Sequence, residues 1–180
     1  MRADARRNRE RIVACALELF AERGPGVSME ELARAAGLGV GTLYRHFPDR
    51  RALVEEIATS ALQSMAAEIR TLSGKDLSRW EVLTQVVTYC TGQPLALVKS
   101  IADSGDEVPL ERGALQGEVD GLLRGLVKEV QDEGTMRSDI SPAEAVEILS
   151  TAVCRPGARA GDAVTRVMLD GLSAKPRLEH

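Results

Sequence analysis

Residues 28–53 contain the signals for two short helices joined by a tight turn. Ser28 and Glu31 have the spacing of a capping box, which predicts a helix that begins directly after Ser28. Gly37 would end this helix, because glycine readily adopts the left-handed angles found just past a helix end. A second helix is predicted over residues 40–46. Two short helices with a glycine-bearing turn describe a helix-turn-helix.

A long third helix is predicted directly after this motif. Pro48 ends the second helix, because the residue before a proline avoids helical angles, and Asp49 can cap the helix that follows. Apolar residues then recur at helical spacing from Leu53 to about Thr71. A helix of about twenty residues spans about 30 Å. It would start at the helix-turn-helix and run into the second part of the chain, where it could act as a lever.

The second helix carries side chains suited to DNA. In a helix-turn-helix this helix enters the major groove with its N-terminal end toward the bases. Glycines at that end disfavour helix formation but allow the backbone to approach a phosphate or a base edge closely. Val40 could contact a thymine methyl group, and Arg45 could contact a guanine edge. The residues predicted to contact DNA are Ser28, Gly39, Val40, Gly41, Thr42, Tyr44, Arg45, His46 and Arg50.

This stretch closely resembles the DNA-binding domain of the tetracycline-repressor (TetR) family of transcriptional regulators. The resemblance rests on residues 32–53, LARAAGLGVGTLYRHFPDRRAL, and on Ile12, Phe20 and Gly24 upstream. It covers about the first third of the chain and implies phosphate or base contacts from Thr42, Tyr44 and His46. Arg50 stands where the family usually has a phosphate-binding lysine. Gly39 departs from the family pattern, in which a serine often caps the recognition helix.

Some of these residues also have a simpler explanation. The ring of Tyr44 could pack on the first helix of the motif, and an isolated histidine such as His46 is often structural. Residues 1–11 hold five arginines and two acidic residues. They predict either an arm that follows the DNA into the minor groove or a solvated, charged helix end.

The charge of the chain is unevenly distributed. The formal net charge is -4, which by itself argues against a nucleic-acid partner. Residues 1–51, however, hold ten arginines and seven acidic residues, a net charge of +3, whereas residues 52–180 carry -7. This division predicts one end that binds nucleic acid and another end with a different task.

The composition favours an all-α fold, because proline is scarce and alanine, leucine and glutamate are plentiful. About nine helices are expected. We predict a helix-turn-helix DNA-binding domain over residues 1–48 and a helical regulatory and dimerisation domain over residues 49–177, with residues 178–180 a tag remnant. The family resemblance implies that the last two helices pair with those of a second copy, so that the protein is a homodimer.

The chain lacks the signals for export or membrane insertion. No run of about 18 apolar residues is present, and the arginine-rich start has no apolar signal core. We therefore expect a cytoplasmic protein without a membrane partner.

No pattern of catalytic residues is present. His46 and His180 are the only histidines, and no Ser-His-Asp, HExxH or phosphate-loop pattern occurs. The cysteines Cys15, Cys90 and Cys154 lie far apart among apolar residues, without metal-ligand spacing. They are interpreted as small buried hydrophobic residues of a reducing cytosol, and a redox sensor is the alternative. We expect no enzyme activity, no cofactor and no metal.

The family resemblance implies that the second domain senses a small molecule between its middle helices. Trp80 and Tyr89 are the only aromatic residues after residue 47. An aliphatic pocket with a few polar groups therefore fits better than an aromatic cage for a cation. The residues predicted to line the pocket are Trp80, Leu83, Val87, Cys90, Gly117 and Gly121.

A row of glycines marks one of the middle helices. Gly113, Gly117, Gly121 and Gly125 recur every four residues, and each costs up to about 1 kcal/mol relative to alanine inside a helix. Two explanations stay open: the close approach of a neighbouring helix, or room for a ligand beside the helix.

The predicted function is a DNA-binding transcriptional regulator, a ligand-responsive repressor that binds a palindromic operator as a dimer. One alternative is a helix-turn-helix regulator controlled by a protein partner instead of a ligand. Another is an all-α enzyme or ligand-binding bundle with a helix-turn-helix shape. Salt-sensitive DNA binding would separate the regulators from this last class.

Overall fold

A computed structural model describes residues 2–102, 109–155 and 157–174 of the chain. In chain order the helices are α1 (Arg2–Arg23), α2 (Met29–Ala35), α3 (Val40–His46), α4 (Arg50–Ser73), α5 (Arg79–Cys90), α6 (Leu95–Ala102), α7 (Leu110–Asp132), α8 (Pro142–Val153) and α9 (Ala163–Leu172). Within the described ranges these nine α-helices are joined by a 3₁₀ turn and one isolated β-bridge. The predicted all-α fold is confirmed. The predicted tag remnant lies outside the described residues.

Serine–glutamate capping boxes begin three of the helices, and all three have the Ser-x-x-Glu spacing that predicts the start of α2. In each, the serine hydroxyl accepts a hydrogen bond from the glutamate N–H, and the glutamate carboxylate accepts one from the serine N–H. The pairs are Ser28–Glu31, Ser78–Glu81 and Ser141–Glu144. Each pair satisfies two backbone donors, so the local sequence sets where α2, α5 and α8 begin.

The last helix begins later than the sequence predicts. The apolar pattern suggests a helix over about residues 160–172, but α9 begins at Ala163. The Asp162 carboxylate accepts a hydrogen bond from the N–H of Thr165 at 2.9 Å and caps the helix there. Gly161, with a φ of +71°, lies in the left-handed region and therefore outside the helix.

The helices surround two clusters of buried apolar side chains. The first, the N-terminal core, joins α1, α2, α3 and the start of α4. The second, the C-terminal core, begins at Ala58 and joins the rest of α4 with α5 to α9. The predicted boundary at residues 48 and 49 lies inside the N-terminal core, because Leu53, Val54 and Ile57 of α4 pack there. The division into domains at that point stays a prediction.

Helix α4 belongs to both cores. It has 24 residues and therefore a length of about 36 Å. Its first part contributes Leu53 and Ile57 to the N-terminal core, and its later part contributes Leu62, Met65 and Ile69 to the C-terminal core. A rotation of α4 relative to one core must therefore also displace the other.

A short bridge fixes the end of α9 against the loop that follows α7. Met136 and Ser173 form an isolated antiparallel bridge. The N–H of Arg137 donates to the carbonyl of Leu172 at 3.0 Å. This contact joins segments that are far apart in sequence, and it holds the end of α9 against the loop between α7 and α8.

Candidate nucleic-acid interface and ligand cavity

Helix α3 has one face in the N-terminal core and one face in solvent. Leu43 and Phe47 are fully buried, as the sequence predicts for core residues. Val40 is 37% exposed and Tyr44 is 42% exposed, which is unusual for large apolar side chains. Arg45 is also exposed. The outward face of α3 therefore presents side chains that no packing requirement explains.

The N-terminal end of α3 has no side-chain cap. Gly39 is the N-cap residue and supplies no side-chain hydrogen bond to the first turn. A Cβ atom added at Gly39 or Gly41 would meet no atom within 4 Å. Packing inside the protein therefore does not require either glycine. The first-turn N–H groups and the positive end of the helix dipole are left accessible to an anion such as a DNA phosphate.

The remaining predicted DNA contacts differ in how far the fold already uses them. Thr42 and His46 are half-buried on α3. The Ser28 hydroxyl donates to the Glu31 carboxylate at 3.0 Å within its capping box. The Arg50 guanidinium donates to the carbonyl of Val27 and lies over a ring of the N-terminal core, 5.4 Å from its centroid. Arg50 therefore stabilises the fold, a role that the family pattern did not suggest.

Two of the N-terminal arginines hold the helix-turn-helix in place. Arg9 donates to the carbonyl of His46 at 2.9 Å and lies 4.3 Å from the centroid of the Phe47 ring. Arg11 donates to the carbonyl of Ala36 at 2.5 Å. Each guanidinium thus satisfies a carbonyl at the C-terminal end of α3 or α2, where a cation also complements the helix dipole.

Neither of the two explanations from the sequence, a DNA arm or a solvated end, included these partners within the fold, and the DNA arm stays a prediction. A signal for their position was present. Arg9 precedes Ile12, Ala16 and Phe20 at helical spacing, so it shares their inward face.

The C-terminal core encloses a cavity of about 340 Å³. Most of its lining consists of leucine and valine side chains from α4, α5, α7 and α8. The full lining is Leu62, Met65, Leu83, Val86, Val87, Cys90, Leu95, Val98, Lys99, Gln116, Val119, Asp120, Leu123, Val127, Val146, Leu149, Ser150, Val153 and Cys154. The volume lies in the range of small-molecule sites.

The structure brings some predicted pocket residues together and excludes others. Leu83, Val87 and Cys90 line the cavity. Trp80, one turn earlier on α5, is not among the lining residues and packs against the C-terminal core. Gly117 and Gly121 lie instead in an open groove between α4 and α7. Helical periodicity explains the error, because the lining positions Gln116, Val119 and Asp120 are on the opposite face of α7.

The glycine row does not mark close helix packing within this chain. A Cβ atom added at Gly117, Gly121 or Gly125 would meet no atom within 4 Å. The groove beside these glycines is open to solvent, and the cavity lies on the other side of the helix. A close approach of a neighbouring helix of the same chain is therefore excluded at these three positions, whereas room for a ligand beside the helix stays a prediction.

Two of the three cysteines border the cavity. Burial raises the pKa of the Cys90 thiol to about 12. Burial also raises the pKa of the Cys154 thiol. Both thiols are therefore protonated and weakly nucleophilic at neutral pH. They contribute small apolar surface to the cavity wall.

Features of two other protein classes, metal sites and membrane-spanning helices, are absent from the described residues. Among them, no cluster of three or more histidine, cysteine, aspartate or glutamate side chains could hold a metal ion. None of the described helices combines the length and apolar character needed to cross a membrane.

Known proteins that resemble this chain in sequence and in fold are bacterial regulators. Residues 12–57 match the family of bacterial regulatory proteins described as the tetR family. The chain is 31% identical to a TetR transcription regulatory protein from Mycobacterium vanbaalenii, and the structures match with a TM-score of 0.64 over 96% of this chain and 98% of the other. The chain belongs to the TetR family. It is a DNA-binding transcriptional regulator, as its helix-turn-helix predicts.

Two further proteins resemble this chain, one in sequence and one in fold. A helix-turn-helix transcriptional regulator of Staphylococcus aureus strain USA300 is 30% identical over 139 residues, which cover 75% of each chain. The crystal structure of the regulator AibR with isovaleryl coenzyme A and operator DNA shares the fold, with a TM-score of 0.60 at 15% identity over 91% of this chain and 95% of that one. TetR-family regulators bind operator DNA, act as dimers and are generally not enzymes.

Proposed function

We propose that this TetR-family regulator is a cytoplasmic repressor that binds a palindromic operator as a homodimer and releases it when a small molecule fills the cavity. One observation carries the proposal. Leu62 and Met65 of α4 line the cavity, while Leu53 and Ile57 of the same helix pack beneath the helix-turn-helix. A ligand in the cavity would therefore touch the helix that supports the DNA-binding unit.

The outward face of α3 supports the DNA-binding half of the proposal. We assign base contacts to Val40 and Arg45. Thr42, Tyr44 and His46 would contact the backbone, together with the N–H groups near Gly39 and Gly41. The N-cap Ser28 and the packed Arg50 are secondary candidates, because the fold already uses their polar groups.

Helices α8 and α9 support the dimeric half of the proposal. Val167 is 69% exposed, and Val164 is exposed beside it on α9. Exposed branched apolar side chains on one helix face are typical of a surface that another protein covers. Pairing of this face with its twin would hold two α3 helices apart by about 34–36 Å or a multiple, as a palindromic operator requires. Analytical ultracentrifugation of Val167→Asp should show monomers, with Arg166→Asp on the same helix as the control.

A buried ion pair offers a route from the cavity to α4. Arg112 is only 3% exposed, and its Nε lies 2.8 Å from the Oε2 atom of Glu55. Arg112 begins the turn of α7 that reaches the cavity at Gln116. Glu55 lies in the part of α4 that packs on the N-terminal core. A buried pair of this kind fixes the register of two helices, because a shift would leave a charge unpaired.

The alternative, control by a protein partner without a ligand, is less well supported. That alternative predicts a second domain without an internal cavity, whereas the described C-terminal core encloses about 340 Å³.

Selection of bound sequences from a random DNA pool tests the DNA-binding proposal. We expect two inverted half-sites, with an affinity that falls steeply with salt because phosphates are neutralised. Arg45→Ala should weaken binding and relax the sequence preference at the base that Arg45 contacts, while Arg124→Ala, an exposed arginine on α7, should change neither. Recovery of a single unsymmetrical site bound by a monomer would contradict the dimer. Binding that does not respond to salt would contradict the interface.

A further inference from the structure

The ligand cavity differs in character between its interior and its mouth. The interior side chains are aliphatic and buried, among them Leu83, Val119 and Val127. None of the polar lining residues is fully buried: Lys99 is exposed, and Gln116, Asp120 and Ser150 are half-buried. We take these four residues as the mouth of the cavity. A ligand that fits this arrangement has its apolar part inside and its polar end at the mouth.

The formal charges of the residues at the mouth sum to zero. Lys99 on α6 and Asp120 on α7 are the charged residues among the described lining. The Gln116 amide donates to the Asp120 carboxylate at 3.0 Å and orients it. Ser150 adds a hydroxyl from α8. The mouth therefore offers hydrogen-bond donors and acceptors together, without a net charge to select an ion.

We propose that the cavity takes an aliphatic molecule with a single uncharged polar end, such as an alcohol or a carbonyl group. This inference rests on the proposed function, because it names the ligand class of the same cavity. The described lining holds no aromatic side chain, which disfavours flat aromatic ligands and cations held by rings. An anionic ligand also meets the net charge of -7 on residues 52–180.

The cavity volume sets the size of the ligand. A water molecule occupies about 30 Å³ in the liquid. A volume of about 340 Å³ therefore accommodates on the order of ten non-hydrogen atoms. Decanol, decanoate and decylammonium have about this size and share a ten-carbon chain, and their polar ends are neutral, anionic and cationic respectively.

Isothermal titration calorimetry of the full-length protein with these three probes tests the ligand class. We expect decanol to bind at least about tenfold more tightly than either ion, because each ion introduces a charge that the net charge of the mouth does not balance. Leu123→Trp, which fills the cavity from a half-buried position, should abolish decanol binding. An equal or tighter affinity for either ion would overturn the uncharged end, and an affinity that survives Leu123→Trp would overturn the location.

Two substitutions at the mouth make the test directional. Lys99→Met leaves a negative mouth and should raise the affinity for decylammonium relative to decanol by about tenfold. Asp120→Asn leaves a positive mouth and should do the same for decanoate. Both side chains are at least partly exposed, so thermal unfolding should show that the variants fold normally. Unchanged selectivity in both variants would overturn the role of the two charges.

The proposed function fails independently of the ligand class. Failure of all three probes to bind would overturn the aliphatic class, while salt-dependent binding to a selected palindrome would still support the regulator. Absence of operator binding by the ligand-free protein, with decanol still able to bind the cavity, would overturn the proposed function and leave the ligand class standing.

Discussion

The proposed DNA contacts on α3 and the proposed ligand contacts in the cavity differ in their relation to the hydrophobic core. On α3, the side chains proposed to touch DNA are exposed or half-buried, whereas the neighbouring Leu43 and Phe47 are fully buried in the N-terminal core. In the cavity, the side chains proposed to touch a ligand are themselves core residues such as Leu83 and Val119. Function and stability can therefore be changed separately at the first site but not at the buried wall of the second.

The largest effect is expected from removing a cavity wall. Leu83→Ala deletes a fully buried side chain and should lower the free energy of unfolding by about 3–4 kcal/mol, because burial is lost and an empty volume remains. Gln85→Ala, at an exposed position on the same helix, should change it by less than about 0.5 kcal/mol. Urea denaturation measures both. A stable Leu83→Ala variant would show that the wall is not part of the core.

Adjacent residues of α4, Glu55 and Glu56, test the ion pair that connects the two regions. Glu55→Gln leaves the buried Arg112 charge without its partner and should cost about 3 kcal/mol. Glu56→Gln affects an exposed pair with Arg9 and should cost about 1 kcal/mol or less. Chemical denaturation of both variants checks this ratio. Equal losses would mean that burial does not distinguish the two pairs.

At the DNA-facing region we expect an effect on binding alone. Tyr44→Ala removes an exposed ring and should weaken operator binding by about 1–2 kcal/mol while changing the stability by less than about 0.5 kcal/mol. Fluorescence anisotropy with the selected operator and thermal unfolding measure the two quantities. A large loss of stability would show that the Tyr44 ring is structural, which the sequence alone left open.

The smallest effect concerns pH and is expected in both regions alike. Hydrogen bonds from the backbone and side chain of Ser28 lower the pKa of Glu31, and those from the side chain and backbone of Ser141 lower the pKa of Glu144. A lowered folded-state pKa means that the stabilisation is present above the ordinary value of 4.5 and is lost as the pH falls through the folded-state value.

Acid titrations of unfolding can test this similarity. Glu31→Gln and Glu144→Gln should each reduce the loss of stability between pH 5 and pH 3. Glu30→Gln, at an exposed position beside the first box, serves as the control. A response in only one of the two regions would show that the capping boxes are not equivalent.

The DNA-binding unit was predictable because its signals are local. Caps, a glycine turn and a proline within residues 28–53 determine α2, α3 and the start of α4, and the residues of α3 follow in sequence order. The role of Arg9 and Arg11 was missed, because their partners are carbonyl groups of other helices. An interpretation of residues 1–11 from their charge alone does not identify such partners.

The sequence by itself determined the helical fold, three capping boxes, the two-helix motif and the family, since each depends on residues close together in the chain. Only the tertiary structure decided which residues share the cavity. Lys99, Asp120 and Ser150 lie on different helices and meet only when α6, α7 and α8 pack. Gly117 and Gly121 were predicted to line the pocket because periodicity defines a face of α7 but does not tell which neighbour that face meets. The direction of a helix face is set by packing with distant segments, and a single sequence does not encode it locally.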